Sequence, residues 1–182
     1  MLGWITSIYQ KWRDELQGVA AIEAAMIFPL LALLLVGTYD MGNAIVAGQK
    51  AIRASQVTAD LVVRESEIDD SMINEAIWAG ELALHPLPTT TFGIDIVSIS
   101  FDDDGNPGIE WRETRNMSPS ADVLTAAMPL SDPNGGLMIV TIEYEYEPLF
   151  LGFSMGNFNI GLIPMSERAF SRGRKSAVVS RI

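Results

Sequence analysis

The chain has 182 residues, no cysteine and one histidine, which excludes disulfides, thiolate metal sites, cysteine nucleophiles and histidine-rich zinc sites. Its formal net charge of -11 is unevenly placed: residues 1–64 balance, residues 65–165 hold 17 acids against Arg112 and Arg115, and residues 166–182 hold five basic residues against Glu167. A centre of that sign repels nucleic acid and anionic lipid, while the basic tail reads as a solvated end, with lipid headgroups or an acidic neighbour as the alternative contact.

The first predicted element is the apolar run at residues 19–39, VAAIEAAMIFPLLALLLVGTY. As a helix it would span about 32 Å, enough for a hydrocarbon core of about 30 Å. A cleavable secretory signal would need a short apolar core and a small-residue cleavage site behind it. Here the run is long and Asp40-Met41-Gly42-Asn43 follows, so the segment reads as a retained anchor. Lys11 and Arg13 precede it closely, and the next basic residue is Lys50. That bias predicts a cytoplasmic N-terminus, with residues from about 40 onward outside.

Two residues inside the run are out of place in a plain anchor. Glu23 puts a carboxylate near its start, which costs a few kcal/mol in a membrane helix and by default marks function. A position at the membrane interface is the simpler reading, but it leaves the pattern around Glu23 unexplained. Gly18 stands five residues ahead of it, and uninterrupted apolar sequence resumes behind it. Pro29 removes one backbone hydrogen bond and crowds the carbonyl of Ala25, which predicts a kink. Neighbouring helices in a membrane can satisfy the freed group.

Gly18-Val19-Ala20-Ala21-Ile22-Glu23 resembles a type IV prepilin processing site, cut after glycine by a membrane peptidase. More closely, residues 18–42 are similar to TadE-like proteins, the minor pilins or pseudopilins of the Tad (Flp) pilus system. The shared features are the Gly-x-Ala-Ala-x-Glu start, Pro29 followed by leucines, and Asp40 with Gly42 at the exit. The resemblance covers residues 18–64 well and the rest only as a general layout. It departs from the pattern at Ala24, where an aromatic residue often follows the glutamate. The resemblance implies processing at Gly18 and Val19, and an assembly role in which Glu23 pairs with the new Val19 ammonium of a neighbour. It implies as partners other pilin or pseudopilin subunits, a prepilin peptidase, an inner-membrane assembly platform and membrane lipid. It also implies a single-pass bacterial inner-membrane protein with a periplasmic C-terminal domain, and TadG-like relatives share a similar anchor.

Beyond the anchor, Met41, Ile45, Gly48, Ile52, Ser55, Ala59 and Val62 recur at alternating spacings of four and three, a helical seam. Ala44, Ala47, Ala51 and Ala54 add small residues that permit close approach. The helix is therefore expected to run on to about residue 64. Ser66-Glu67-Ile68-Asp69 reads as the capped start of a second helix with an apolar face of Ile73, Ala76, Ile77, Gly80 and Leu84, ended by His85-Pro86. His85 reads as a loop residue. Strands are expected at residues 94–101 and 109–113, joined by DDDGNPG, and at residues 137–147. In the last of these Met138, Val140, Ile142, Tyr144 and Tyr146 form the inner face, and the acidic opposite face is expected to meet water or a basic partner. A short helix is expected from Ser118-Pro119 to about Met128, and a final strand near residues 164–172.

The fold expected is α+β, a long membrane-spanning N-terminal helix packed on a small antiparallel sheet. Its divisions are a leader at 1–18, a transmembrane helix at 19–39, a helix extension at 40–64 and an extracytoplasmic domain at 65–182. The acidic loop offers one competing chemistry. Asp102, Asp104, Asn106, Ile109 and Glu113 fall at calcium-loop spacings, but Pro107 stands where the sharp turn needs glycine, and the flanks read as strands. An acidic hairpin loop is the preferred reading, with Asp102, Asp104, Asn106 and Glu113 kept as a weak candidate set. No nucleotide loop, nucleophile elbow or metalloprotease helix occurs in the sequence. The chain is thus expected to be a non-enzymatic pilus-assembly subunit without cofactor. The alternative is a membrane-anchored binding module, calcium-dependent if the loop is a site.

Overall fold

The computed structural model describes residues 16–150 and 161–182. Lys11 and Arg13, which carry the topology expectation, and most of the leader lie outside the described residues. Helix α1 runs unbroken over Leu16–Val62, 47 residues with Pro29 inside it, about 70 Å at 1.5 Å per residue. Its apolar first half is exposed, and burial begins at Asp40. Helix α2, Asp70–Leu84, packs against the second half of α1. A four-stranded antiparallel sheet lies beside them in the order β3 (Pro107–Arg115), β2 (Gly93–Phe101), β4 (Gly136–Tyr146), β5 (Ile163–Ser171). The long apolar helix followed by this small sheet domain is the α+β architecture expected from the sequence.

The interface of α1 with α2 is built from small residues. Ala47, Ala51, Ala54 and Thr58 of α1 are fully buried, and the Thr58 hydroxyl donates to the Ala76 carbonyl at 3.2 Å. A Cβ on Gly80 would stand 2.4 Å from the Thr58 oxygen, so only glycine allows this approach. The expected seam is correct from Ser55 to Val62, half-buried at Gly48 and wrong at the large residues before it. Met41, Ile45 and Ile52 are 66%, 58% and 40% exposed. The close contact selects the smallest side chains and rotates the bulkier apolar row outward. The face expected for α2 is buried at all five positions, and Lys50 of α1 donates to the His85 carbonyl just past its end at 2.6 Å.

The sheet has a core on both faces. One face packs on α1 and α2 through Ile94, Ile96, Val140, Ile142 and Tyr144. The other carries Val97, Ile99, Phe101, Leu137 and Ile139 under the short helix α3, Val123–Ala127. Ile139 and Thr141, expected on the polar face of β4, are therefore buried, while Glu143 and Glu145 remain exposed. Helix α3 begins at Val123, not at Ser118-Pro119. The segment before it is held instead by Asp95 and Arg112, which bond the Ser120 N–H and carbonyl. A 3-10 turn, Met128–Leu130, follows it.

Residues 66–69 also differ from expectation. Glu67–Ile68 form strand β1, paired in parallel with β6, Ser180–Arg181. The cap of α2 is Asp69, whose carboxylate accepts the Met72 N–H at 2.8 Å. Strand β6 was not expected, because two residues carry no periodicity. The tail that holds it folds back on the chain's own acids. Arg168 pairs with Asp122, Arg172 with Asp132, Arg174 with Asp60, Lys175 with Glu65, and Arg181 with both Asp70 and Glu113. The tail thus stays largely at the surface, with its basic side chains turned to these acids. Its acidic neighbours are in the same chain, although exposed pairs of this kind contribute little singly.

Candidate functional site

The residues singled out for function fall into two groups at opposite ends of the apolar half of α1. Near its start, Gly18 has open space on all sides, with nothing within 4 Å of an added Cβ. Val19 is 54% exposed and Ile22 65% exposed. Glu23 is exposed on the same stretch of helix, and among the described residues it makes no ion pair. Pro29 lies inside the helix without ending it. Its neighbours Phe28 and Leu30 are both exposed. Among the described residues, nothing of the α+β domain covers this segment. The segment is exposed, and the helix is long and apolar enough to cross a membrane.

At the other end the chain is closed by a contact that sequence reasoning missed. Asp40 is 2% exposed, and its carboxylate accepts the backbone N–H groups of Leu149 and Phe150 at 3.2 and 2.9 Å. The Tyr39 ring meets Phe150 edge-on, with centroids 5.7 Å apart. The segment after β4 is thereby tied to the point where the apolar run ends. The available signal was an acid directly behind an apolar run. Its partners lie more than a hundred residues away, where no spacing rule reaches. Hydrogen bonds to a charged acceptor contribute about 1.5–3 kcal/mol. Asp40→Ala is expected to lower the stability of the full chain by about that much. Amide exchange at Leu149 and Phe150 should rise ahead of exchange in the sheet. Unchanged exchange at those two amides would remove the clamp role.

The weak calcium set is not brought together as a site. The Asp102 carboxylate turns onto its own loop, accepting the N–H groups of Asp104 and Asn106 at 3.0 and 2.7 Å and the Asn106 side-chain amide. The Asn106 amide and backbone bonds hold its carboxyl below the usual carboxylate range. Gly105 takes the left-handed conformation, φ +80°, that closes this turn. Glu113 is engaged elsewhere, with Arg115 and Arg181 at 3.1 and 3.0 Å. Among the described residues no group of three or more histidines or acids could hold a metal ion.

The class these features define is a chain anchored by an apolar N-terminal helix that runs on into a small α+β domain. Residues 18–60 match the family model described as TadE-like protein, so over this segment the chain is similar to that family, in agreement with the resemblance carried by residues 18–42. The match covers the anchor and its extension, less than half of the chain. No curated protein and no solved structure gives a match.

Proposed function

We propose that the chain is a membrane-anchored, TadE-like pilin or pseudopilin subunit that serves assembly of a Tad/Flp-type pilus or a related secretion apparatus. The observation that carries this reading is the family match at residues 18–60, which coincides with an exposed apolar helix bearing a carboxylate, Glu23, that makes no ion pair among the described residues. The α+β domain would lie on the periplasmic side of the inner membrane, and the role is structural, not catalytic. Gly18 and Val19 form the processing site for a prepilin peptidase, Glu23 serves pairing with other subunits, and Pro29 bends the helix to suit its neighbours. The assembly platform is the further partner. The alternative of a calcium-dependent binding module has no observation in its favour, since the loop carboxylate at Asp102 is satisfied within the loop.

N-terminal sequencing of the protein taken from its native membrane tests the processing step. The expected first residue is Val19. Gly18→Leu is expected to leave a species about 2 kDa heavier, taking a leader of 18 residues at about 110 Da each. A parent protein that keeps its leader in a strain with an active peptidase would remove the processing reading.

A further inference from the structure

Beside the Asp40 clamp lies a cavity of about 470 Å³ bounded by the exit of α1, the segment after α2 and the end of β4. Tyr39, the last residue of the apolar run, lines it, so it stands at the level where α1 leaves the membrane. Tyr144 and Tyr146 also line it. They are 2% and 4% exposed, and among the described residues neither hydroxyl has a hydrogen-bond partner. No side-chain oxygen among the described residues is both buried and unpartnered, so these two hydroxyls reach solvent-accessible space. Burial pushes both phenols up from their usual range, and for Tyr146 the nearby Asp40 and Tyr39 add to the effect. Both therefore remain protonated donors at neutral pH.

The rest of the lining narrows what those donors meet. Glu145 and Glu147 belong to it, and among the described residues no lysine or arginine does, so a ligand with net negative charge is disfavoured and an ammonium is favoured. Tyrosine faces add to the attraction for a cation. Leu149 and Leu162 line the same cavity and are 69% and 49% exposed, an exposed apolar border. From this arrangement we infer that the cavity takes the headgroup of a zwitterionic, ammonium-bearing membrane phospholipid. The phosphodiester accepts from the Tyr144 and Tyr146 hydroxyls, the ammonium faces Glu145 and Glu147, and the acyl chains leave along Leu149 and Leu162. The volume suits a headgroup and not a whole lipid. This inference rests on the membrane anchoring proposed above and goes beyond it, since it gives the domain its own seat on the bilayer.

The test uses the full chain in vesicles of phosphatidylethanolamine and phosphatidylglycerol in equal parts. Flotation reports insertion, and native mass spectrometry after gentle release reports the lipid retained. The expected result is preferential retention of phosphatidylethanolamine, reduced about fivefold in Tyr144→Phe, which keeps the packing and removes one donor. Glu147→Gln, at an exposed position, is expected to lower the preference without changing the melting temperature. A chain that floats but retains both lipids equally overturns the headgroup assignment alone. A chain that does not float overturns the anchoring and the assignment with it. A benzophenone side chain placed at Leu162 is expected to cross-link to lipid. A product at twice the chain mass would show a second copy in the cavity and overturn the inference.

Discussion

Asp95→Ala is expected to cost the α+β domain about 3–5 kcal/mol, the range for removing one partner of a buried ion pair, which is a large fraction of the stability of an ordinary domain. The Asp95 side chain is fully buried, and Arg112 opposite it is 22% exposed. The guanidinium grips the carboxylate with both arms, Nε to Oδ1 at 2.8 Å and Nη2 to Oδ2 at 2.5 Å. The Thr114 hydroxyl and the Ser120 N–H donate to the same carboxylate at 2.8 and 3.0 Å. Asp95 thus joins β2 to β3 and to the segment leading into α3. Its loss leaves the Arg112 charge and two further donors without their acceptor. Asp95→Asn keeps the shape and one acceptor oxygen, and should recover only part of the loss. Thermal melting of the full chain in detergent provides the measurement. A melting temperature unchanged in Asp95→Ala would show that water reaches the site and that the pair contributes nothing.

The same carboxylate predicts a pH dependence. Burial alone would raise its pKa, but the bonds from Arg112, Ser120 and Thr114 together hold it below the ordinary value of 3.8. A carboxyl with a depressed folded pKa contributes stability that is fully present above its unfolded value and lost as pH falls through the folded value. The parent should therefore lose stability below about pH 4 more steeply than Asp95→Ala does. Parallel acid profiles would place the acid sensitivity elsewhere.

What the sequence made legible follows from how far each signal reaches. The five buried positions of α2 and the inner face of β4 depend on local periodicity, and both were readable. The hairpin at DDDGNPG depends on local turn chemistry, and it was readable too. The seam of α1 was misread at Met41, Ile45 and Ile52 because hydrophobicity alone favours the large residues. The actual contact is decided by how near α2 can come, and Gly80 against Thr58 sets that distance. Asp95 gave no signal, since a lone acid in a strand reads as exposed until a buried arginine is known to face it. Asp40, β6 and the ion pairs of the basic tail all join residues distant in the chain. Of the candidate site, the spacing of Gly18, Glu23 and Pro29 was visible in the sequence. The cavity beside Tyr39 was not, because Tyr144 and Tyr146 alternate like ordinary core residues.

Glu23→Ala is expected to reduce assembly sharply while leaving the fold untouched. In the described structure Glu23 is exposed on the apolar half of α1, far along the helix from Asp40, where burial begins. No contact of the α+β domain depends on it, so its melting temperature and protease resistance should not change. Insertion into the membrane should be unchanged or improved, because a polar group leaves an apolar segment. Assembly is different. Once the chain is cut after Gly18, the Val19 ammonium and the Glu23 carboxylate lie about 6 Å apart along the helix axis. A staggered neighbour can then bring its carboxylate to that amine, where lipid and packed helices exclude water. An ammonium left without its partner in such a place costs about 3–5 kcal/mol if fully buried, at every subunit contact. Pilus formation, or cross-linking to neighbouring subunits, should fall sharply. Glu23→Gln should rescue little, since it restores the volume but not the charge. If Glu23→Ala assembled normally while the parent was demonstrably cleaved after Gly18, the pairing mechanism would be wrong, and Glu23 would be an interfacial residue facing the headgroups.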